Sequence, residues 1–453
     1  MKKFEQYKRT LNWLSAVINT SLLGLAFAVV WYLCYSQQIV LPFYRKGNWM
    51  VIGIYIVITV IFNKVYGSYK VGYLRKSEAF YSQLISVFVI NVITYCQISV
   101  IGRDFMHFMP MIFLTVIDII IVLVWTLVYA FVYAKLFPPR KMIIVYGSRN
   151  AGSLVVKMSQ RADKYIISES VKADEDIDVI KEKILGYGGV ILYDVPDRVR
   201  NDILKFCFDR QLRVYMAPKI SDIIVRGAQE INLFDSPLLL CRNDGLSIEV
   251  RAAKRIFDFG FAVFLLPFLL VPMVVVALAI KIEDGGPVIY RQERLTTHGK
   301  RFNVLKFRSM TVDAEKDGKA VLARDGDSRI TKVGAFIRKC RLDELPQIFN
   351  IIKGDMSFVG PRPERPAIAA EYEKDMAEFS FRLTVKAGLT GYAQIMGKYD
   401  TTPYDKLRMD LMYIEKYSLL LDFKIILMTI KTMIFPGKTN ESENIIASKN
   451  GKE

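Results

Sequence analysis

The sequence predicts a membrane protein of mixed α and α/β class. It has a four-helix transmembrane unit, a small α/β domain with a parallel sheet, and a mainly α C-terminal domain. Three observations carry this. Over 453 residues, 52% are hydrophobic and mean hydropathy is above zero, which excludes a disordered chain and an ordinary soluble enzyme. Net charge is +17, but it is unevenly spread. Residues 1–140 hold 13 basic against 4 acidic side chains, residues 141–249 hold 16 of each, and residues 250–453 hold 33 against 25. A basic beginning, a neutral middle and a basic end mark three units. The domains expected are 1–137, 138–249 and 250–436, with a polar tail at 437–453.

The first part supplies four uncharged stretches, Thr10–Tyr44, Gly47–Asn63, Ala79–Gly102 and Phe105–Lys135, the last interrupted by Asp118. A bilayer core takes about 20 apolar residues per helix, and each stretch meets that with tilt. The first is too long for a secretory leader, and no small-residue cleavage site follows it. Lys2, Lys3, Lys8 and Arg9 precede helix one, Lys64, Lys70, Arg75 and Lys76 flank the second connection, and Lys135, Arg140 and Lys141 follow helix four. The other side carries Arg45, Lys46 and Arg103. Both ends of the unit are therefore expected in the cytoplasm. Asp118 reads either as a functional charge in the bilayer or as a hydrogen-bonding group within the helices, and the second reading is favoured.

The middle part opens on Lys141-Met-Ile-Ile-Val-Tyr-Gly-Ser-Arg-Asn-Ala-Gly152, a β-branched strand followed by two glycines and a helical pattern. That is how a dinucleotide-type βαβ unit begins, although the triple-glycine fingerprint is incomplete. Apolar runs at 189–193 and 212–216 alternate with polar helical stretches, as a parallel α/β sheet requires. The domain reads as a regulatory or assembly module in preference to an NAD site. Cys34, Cys96, Cys207, Cys241 and Cys340 form no CxxC pair, so neither a disulfide framework nor a zinc site is implied.

Residues 259–280 form a fifth apolar segment, with Lys254 and Arg255 before it and Lys281 after it. Pro267 and Pro272 lie inside, and each removes a backbone donor, so a sharp bend is expected. The segment can span, or it can enter one leaflet and return.

Beyond it, Asp343 and Glu344 are adjacent carboxylates with Pro346 two residues on, which places the pair at a helix N-terminus. Anions are favoured there. One carboxylate can attack phosphorus while the other holds Mg²⁺. Lys306, Arg308, Arg338 and Arg341 can neutralise phosphate oxygens, and Pro361 and Pro363 stiffen a loop that presents Arg362. Acidic helix caps and solvated basic residues are the structural alternative for the same pattern.

The segments KFRSM (306–310), LDELPQ (342–347), GDMSFVGPRPE (354–364) and GLTGYAQ (388–394) occur in order. On these motifs the run from Lys254 to about Phe435 resembles the bacterial sugar transferase family, the polyprenyl-phosphate hexose-1-phosphate transferases. The whole chain is similar to the large form, with four N-terminal helices and a Rossmann-like cytoplasmic domain. The resemblance implies transfer of a hexose-1-phosphate from a UDP-sugar, glucose or galactose favoured, to undecaprenyl phosphate. UMP is released, and the step initiates capsule, exopolysaccharide or O-antigen synthesis. It implies Asp343 as nucleophile forming a covalent sugar-phosphoryl intermediate, Glu344 as Mg²⁺ ligand, Arg338 on phosphate, and Pro361, Arg362 and Pro363 at the nucleotide sugar. It also implies a re-entrant membrane helix broken at Pro267 or Pro272, a site in the bacterial inner membrane, and a homodimer. After Tyr413 an interfacial amphipathic helix and an ordinary core helix are both open. The rival function is an inactive membrane-anchored nucleotide sensor or scaffold. A nucleic-acid partner is not expected, because the charge concentrates at membrane loops and the motif-bearing segment.

Overall fold

The computed structural model describes residues 6–435 except 40, 41, 44, 45, 71, 73, 150, 234, 244, 313–326, 328 and 398–400. The expected tail at 437–453, and Lys2, Lys3 and Arg45 of the topology argument, lie outside the described residues. The chain divides into two compact units, Met1–Ala217 and Pro218–Glu453.

In the first unit α1 (Lys8–Val30), α2 (Lys46–Tyr66), α3 (Lys76–Gly102) and α4 (Met109–Leu136) coincide with the four uncharged stretches. All four are long and apolar enough to cross a bilayer. Each packs on two of the others, α1 on α2, α2 on α3, α3 on α4 and α4 on α1. Their outward faces carry Trp13, Leu25, Trp49, Phe88, Phe113 and Phe131, while Asn19, Thr59, Ser86, Asn91, Thr94 and Asp118 are buried. An apolar outer face, with polar side chains buried among apolar ones such as Phe27, Ile90 and Leu114, is unlike a water-soluble bundle and suits lipid as the surrounding solvent. Asp118 accepts from Asn91 Nδ2 at 3.0 Å and Tyr55 Oη at 3.2 Å, the within-helix-unit reading. Such bonds offset the cost of a polar group at this depth.

The same unit continues through β1 (Arg140–Tyr146), α5 (Gly152–Ser159), β2 (Tyr165–Lys172), α6 (Ile177–Leu185), β3 (Gly189–Tyr193), α7 (Asp197–Asp209) and β4 (Arg213–Met216). The sheet order is β2-β1-β3-β4 and every pairing is parallel. Buried runs at Met142–Val145 and Val190–Leu192 explain why these strands lack alternation, since a parallel sheet is covered on both faces. Arg161 donates to the Leu74 carbonyl at 3.4 Å, tying this sheet domain to the loop before α3.

By contacts the chain parts at 217, so the stretch that precedes the expected boundary at 249 groups with the second unit. Residues 218–249 include α8 (Ile220–Gly227), β5 (Gln229–Leu233) and β6 (Ser236–Leu240). Ile220 and Ile223 of α8 share a core with Leu407 and Leu411, and Arg408 donates to the Pro218 carbonyl at 2.9 Å. Their partners are thus about 190 residues downstream, beyond the reach of a local sequence pattern.

The second unit proceeds through α9 (Ile248–Asp284), β7 (Ile289–Leu295), β8 (Arg301–Phe307), α10 (Lys332–Lys339), α11 (Gln347–Lys353), β9 (Ser357–Val359), α12 (Pro366–Asp375), β10 (Gly388–Thr390), α13 (Tyr392–Met396), α14 (Pro403–Glu415) and α15 (Leu419–Ile434). Strands β7 and β8 form an antiparallel hairpin, and β9 pairs parallel with β10. Ser247 caps α9 by accepting from Val250 N, and Gly285, at φ +69°, ends it in the left-handed conformation that glycine adopts freely. Helix α9 continues through Pro267 and Pro272, so neither proline terminates it. A proline can bend a helix without ending it. Helix α15 buries Asp422, Ile425 and Leu427 and exposes Leu420, Phe423, Met433 and Ile434. Its acid faces the protein core and its large apolar side chains face out, as lipid contact would require.

Candidate active site

The site is assembled on the β7–β8 hairpin and the turn into α11. In register, Gln292 faces Val304 and Tyr290 faces Lys306. Directly paired residues project from one side of the sheet, so Lys306, Val304, Gln292 and Arg294 share a face. Asn350 fixes α11 to that hairpin, accepting from Leu305 N at 3.0 Å and donating to the Asn303 carbonyl at 2.8 Å.

Between α10 and α11 the chain makes one 3-10 turn, Leu342–Glu344, entered through Arg341 at φ +56°. Asp343 and Glu344 therefore lie just before α11, with Pro346 in its N-cap position. The expected placement at a helix start is observed, one turn outside the helix proper.

The two carboxylates are not equivalent. Glu344 Oε1 lies 3.2 Å from Lys306 Nζ and 3.3 Å from Arg362 Nη2. Burial raises its pKa, but Arg362, Lys306 and Arg341 outweigh that and bring it to about 2. Asp343 makes no ion pair among the described residues. Burial first, and the charge of Glu344 second, raise its pKa above the usual carboxylate value, while Lys306 and Arg338 pull it down. Lys306, Arg338, Arg341 and Arg362 are thus gathered around the pair, as expected.

Arg308 is not. Strand β8 ends at Phe307, and Arg308 turns away to form two bonds to the Asp284 carboxylate, with Nε donating to the Pro287 carbonyl at 2.6 Å. Only 7% of its side chain is exposed. Arg308 fastens the end of α9 and stands apart from the carboxylate pair.

Pro361 and Pro363 flank Arg362 in the loop after β9, and Arg362 reaches back to Glu344. Arg294, Val304, Lys306, Glu344, Gln347, Arg362, Pro363, Gly388 and Leu389 line one cleft. Arg294 and Gln347 were missed from sequence. Burial lowers the Arg294 pKa to about 10, and it donates to the Pro363 carbonyl at 3.1 Å. Alternation along 289–295 was the signal available, because it puts Arg294 on the Lys306 face. Gly388 and Leu389 belong to the GLTGYAQ motif, which sequence reading left without a role.

The donor chemistry fits Mg²⁺. No cluster of three or more His, Cys, Asp or Glu occurs among the described residues. Mg²⁺ is commonly held by one or two carboxylates together with substrate phosphate oxygens. The 343–344 pair matches that mode, with Glu344 ionised at every ordinary pH.

In the first unit, the turn after β1 presents donors of another kind. The Ser148 hydroxyl donates to Asp194 at 2.7 Å and Arg149 N at 3.0 Å. The carboxylate that follows β3 thus takes donors that a nucleotide phosphate would use in such a fold.

Fold and site together define a class: a membrane protein whose second unit sets a carboxylate pair among basic side chains, an arrangement suited to a phosphorylated ligand. The bacterial sugar transferase family matches residues 249–436. A UDP-N-acetylgalactosamine-undecaprenyl-phosphate N-acetylgalactosaminephosphotransferase of Aeromonas hydrophila is 40% identical over 184 residues, covering 40% of this chain and 43% of the relative. A UDP-glucose:undecaprenyl-phosphate glucose-1-phosphate transferase of Klebsiella pneumoniae is 40% identical over 223 residues, covering 48% and 45%. The match to these two relatives spans less than half their length. A shorter protein of Bacillus subtilis, described as a putative undecaprenyl-phosphate N-acetylgalactosaminyl 1-phosphate transferase, is 48% identical over 132 residues, 29% of this chain and 73% of the relative. The chain belongs to the bacterial sugar transferase family.

Proposed function

We propose that the protein transfers a sugar-1-phosphate from a UDP-sugar to undecaprenyl phosphate, releasing UMP and leaving an undecaprenyl-diphosphate sugar. The observation that carries this is the division of labour between two adjacent carboxylates. Glu344 is held ionised by Lys306 and Arg362, and Asp343 makes no ion pair among the described residues. In the first step an Asp343 oxygen attacks the phosphorus that bears the sugar, and the bond to the bridging oxygen breaks, so UMP leaves with that electron pair. In the second, an oxygen of undecaprenyl phosphate attacks the same phosphorus and Asp343 departs as a carboxylate. Lys306, Arg338, Arg341 and Arg362 offset the charge that gathers on the phosphoryl oxygens. Glu344, with Asp343 beside it, would hold Mg²⁺, which supplies charge neutralisation on the diphosphate when bound. The named sugars of the relatives differ, N-acetylgalactosamine in one and glucose in another, at the same 40% identity, so this level of similarity does not select the hexose. Our reading favours glucose or galactose.

Purified protein in mixed micelles with undecaprenyl phosphate should release UMP from one member of a panel of UDP-hexoses and UDP-N-acetylhexosamines. Asp343→Asn should abolish it, a loss of at least about 10³-fold. Undiminished turnover in that variant would overturn the assignment of the nucleophile.

We further propose that α9 is re-entrant, with both ends on the cytoplasmic face. Its 37 residues would reach about 56 Å if straight, well beyond a hydrocarbon core of about 30 Å. Near its start, Lys254 pairs with Asp422 at 2.5 Å, and Arg255 donates to the carbonyls of Ile351 and Ile352 at 2.6 and 2.7 Å. At its end, Asp284 binds Arg308 and Glu283 accepts from Val333 N at 3.1 Å. Both ends are thus fastened within one compact unit, and the exposed Phe264, Phe268, Val271 and Val275 lie between them around the two prolines. In a cysteine-free background, Ser247→Cys and Gly285→Cys should both resist an impermeant maleimide in spheroplasts and react after lysis. Labelling of one of them in intact spheroplasts would mean a spanning helix.

A further inference from the structure

The Pro361-Arg362-Pro363-Glu364 segment is held in an unusual way. Its prolines have no N–H to donate, so the loop must be fixed through its carbonyls. All four are engaged. The Pro361 carbonyl accepts from Gly388 N at 2.9 Å and that of Glu364 from Leu295 N at 3.0 Å. Between them, two arginine side chains close the set: Arg382 Nη2 donates to the Arg362 carbonyl at 2.9 Å, and Arg294 Nη1 to that of Pro363 at 3.1 Å.

Arg382 lies in the 3-10 segment Ala377–Thr384 and belongs to no motif singled out in the sequence. Only 5% of its side chain is exposed, and it is not among the residues that line the cleft holding Lys306 and Glu344. Its Nη2 also lies 2.8 Å from Asp410 of α14, its Nη1 lies 3.7 Å from Glu364, and its guanidinium stands over the Phe379 ring at 4.9 Å. Two carboxylates and an aromatic face therefore fix the guanidinium from behind. Arg362 presents the opposite case. Its side chain is 46% exposed and points to Glu344, while its backbone is the atom Arg382 grips. A planar guanidinium with several donors can bind a carboxylate and a carbonyl at once, which a lysine ammonium does less rigidly.

We propose that Arg382, braced by Asp410, is a positioning residue that sets the Arg362 guanidinium against Glu344 and the phosphoryl site. This rests on the transferase reading above. It assigns to a buried arginine a role in the reaction without contact to substrate: displacement of the Arg362 backbone by a fraction of an ångström moves a charge-stabilising group off its target. Misplacement of about 1 Å can cost on the order of 10²-fold in rate.

The test uses the full chain in micelles. Arg382→Gln should lower kcat/KM for UMP release by roughly 30-fold. Arg382→Lys keeps the charge and a donor but not the rigid fork and should recover part of that loss, which also answers the concern that Arg382→Gln fails to fold. Arg362→Ala combined with Arg382→Gln should be no slower than Arg362→Ala alone, because both changes remove one function. In parallel, hydrogen exchange of peptides covering 356–366 and 386–392 should quicken in Arg382→Gln, since Gly360 N and Gly388 N close this loop on β10. Multiplied losses in the double variant, or unchanged exchange in those peptides, would overturn the proposal. If the wild-type protein releases no UMP from any sugar nucleotide, the transferase reading fails, and the exchange comparison alone still decides whether Arg382 holds the loop.

Discussion

The turn after β1 and the turn before α11 each bring a carboxylate up against donors, and they use it in opposite ways. In the first, Asp194 sits at φ +55° and receives the Ser148 hydroxyl and the Arg149 N–H. Gly147 packs directly on the Asp194 backbone carbonyl, where a Cβ would collide. The donors of the turn are answered by the chain itself. In the second, Glu344 meets Lys306 and Arg362, while Arg338 and Arg341 act on the same pair of acids and Asp343 stands without an ion pair among the described residues. Four basic side chains around two carboxylates leave positive charge over. A loop with the look of a phosphate site can thus be complete in itself, whereas a surplus of charge around an unpaired acid marks a place that awaits a ligand.

Two changes probe that difference. The larger effect is expected from Glu344→Gln. Losing this charge should reduce UMP release by about 10²-fold or more if Glu344 holds Mg²⁺. It should also shift the pH profile in a definite direction. In the proposed mechanism Asp343 must be ionised to attack, so activity should fall as pH drops through its raised pKa. Removing the Glu344 charge takes away a cause of that rise and frees Lys306 and Arg362, so the acidic limb moves to lower pH. A limb that stays in place or moves upward would break the assignment of Asp343 as the titrating group.

The smaller effect is expected from Asp194→Ala, which leaves the Ser148 and Arg149 donors without their partner. Thermal unfolding in detergent should show a loss of about 1–2 kcal/mol, with UMP release kept within roughly twofold. The wild-type protein should show no thermal shift with NAD. A clear shift with NAD in the wild type would mean that the first turn takes a guest after all, and the contrast between the two turns would collapse.

Much of this was legible in the sequence, and the exceptions share a cause. The apolar stretches gave the positions of α1 to α4 because length and absence of charge are local properties. The pair at 343–344 and the proline that follows placed the turn before α11 for the same reason. The partner of Arg308, Asp284, lies on the preceding helix, and no spacing rule separates a strand-end arginine that pairs backward from one that faces a cleft. Arg294 and Arg382 were passed over because their work is done on carbonyls 69 and 20 residues away. The packing of α8 on α14 lies out of reach likewise, since the two are far apart in the chain. Long-range pairing of charged groups is where a linear reading is weakest.

The double fastening of α9 has a mechanical consequence. A hydrophobic helix anchored at one end is a peg, and it can be drawn from a membrane by degrees. Clamped by Lys254 and Arg255 at one end and by Asp284 at the other, α9 would be a staple under the proposed re-entrant placement. Withdrawing its apolar middle means lifting the second unit with it, so the depth of the helix and the height of Asp343 become one quantity.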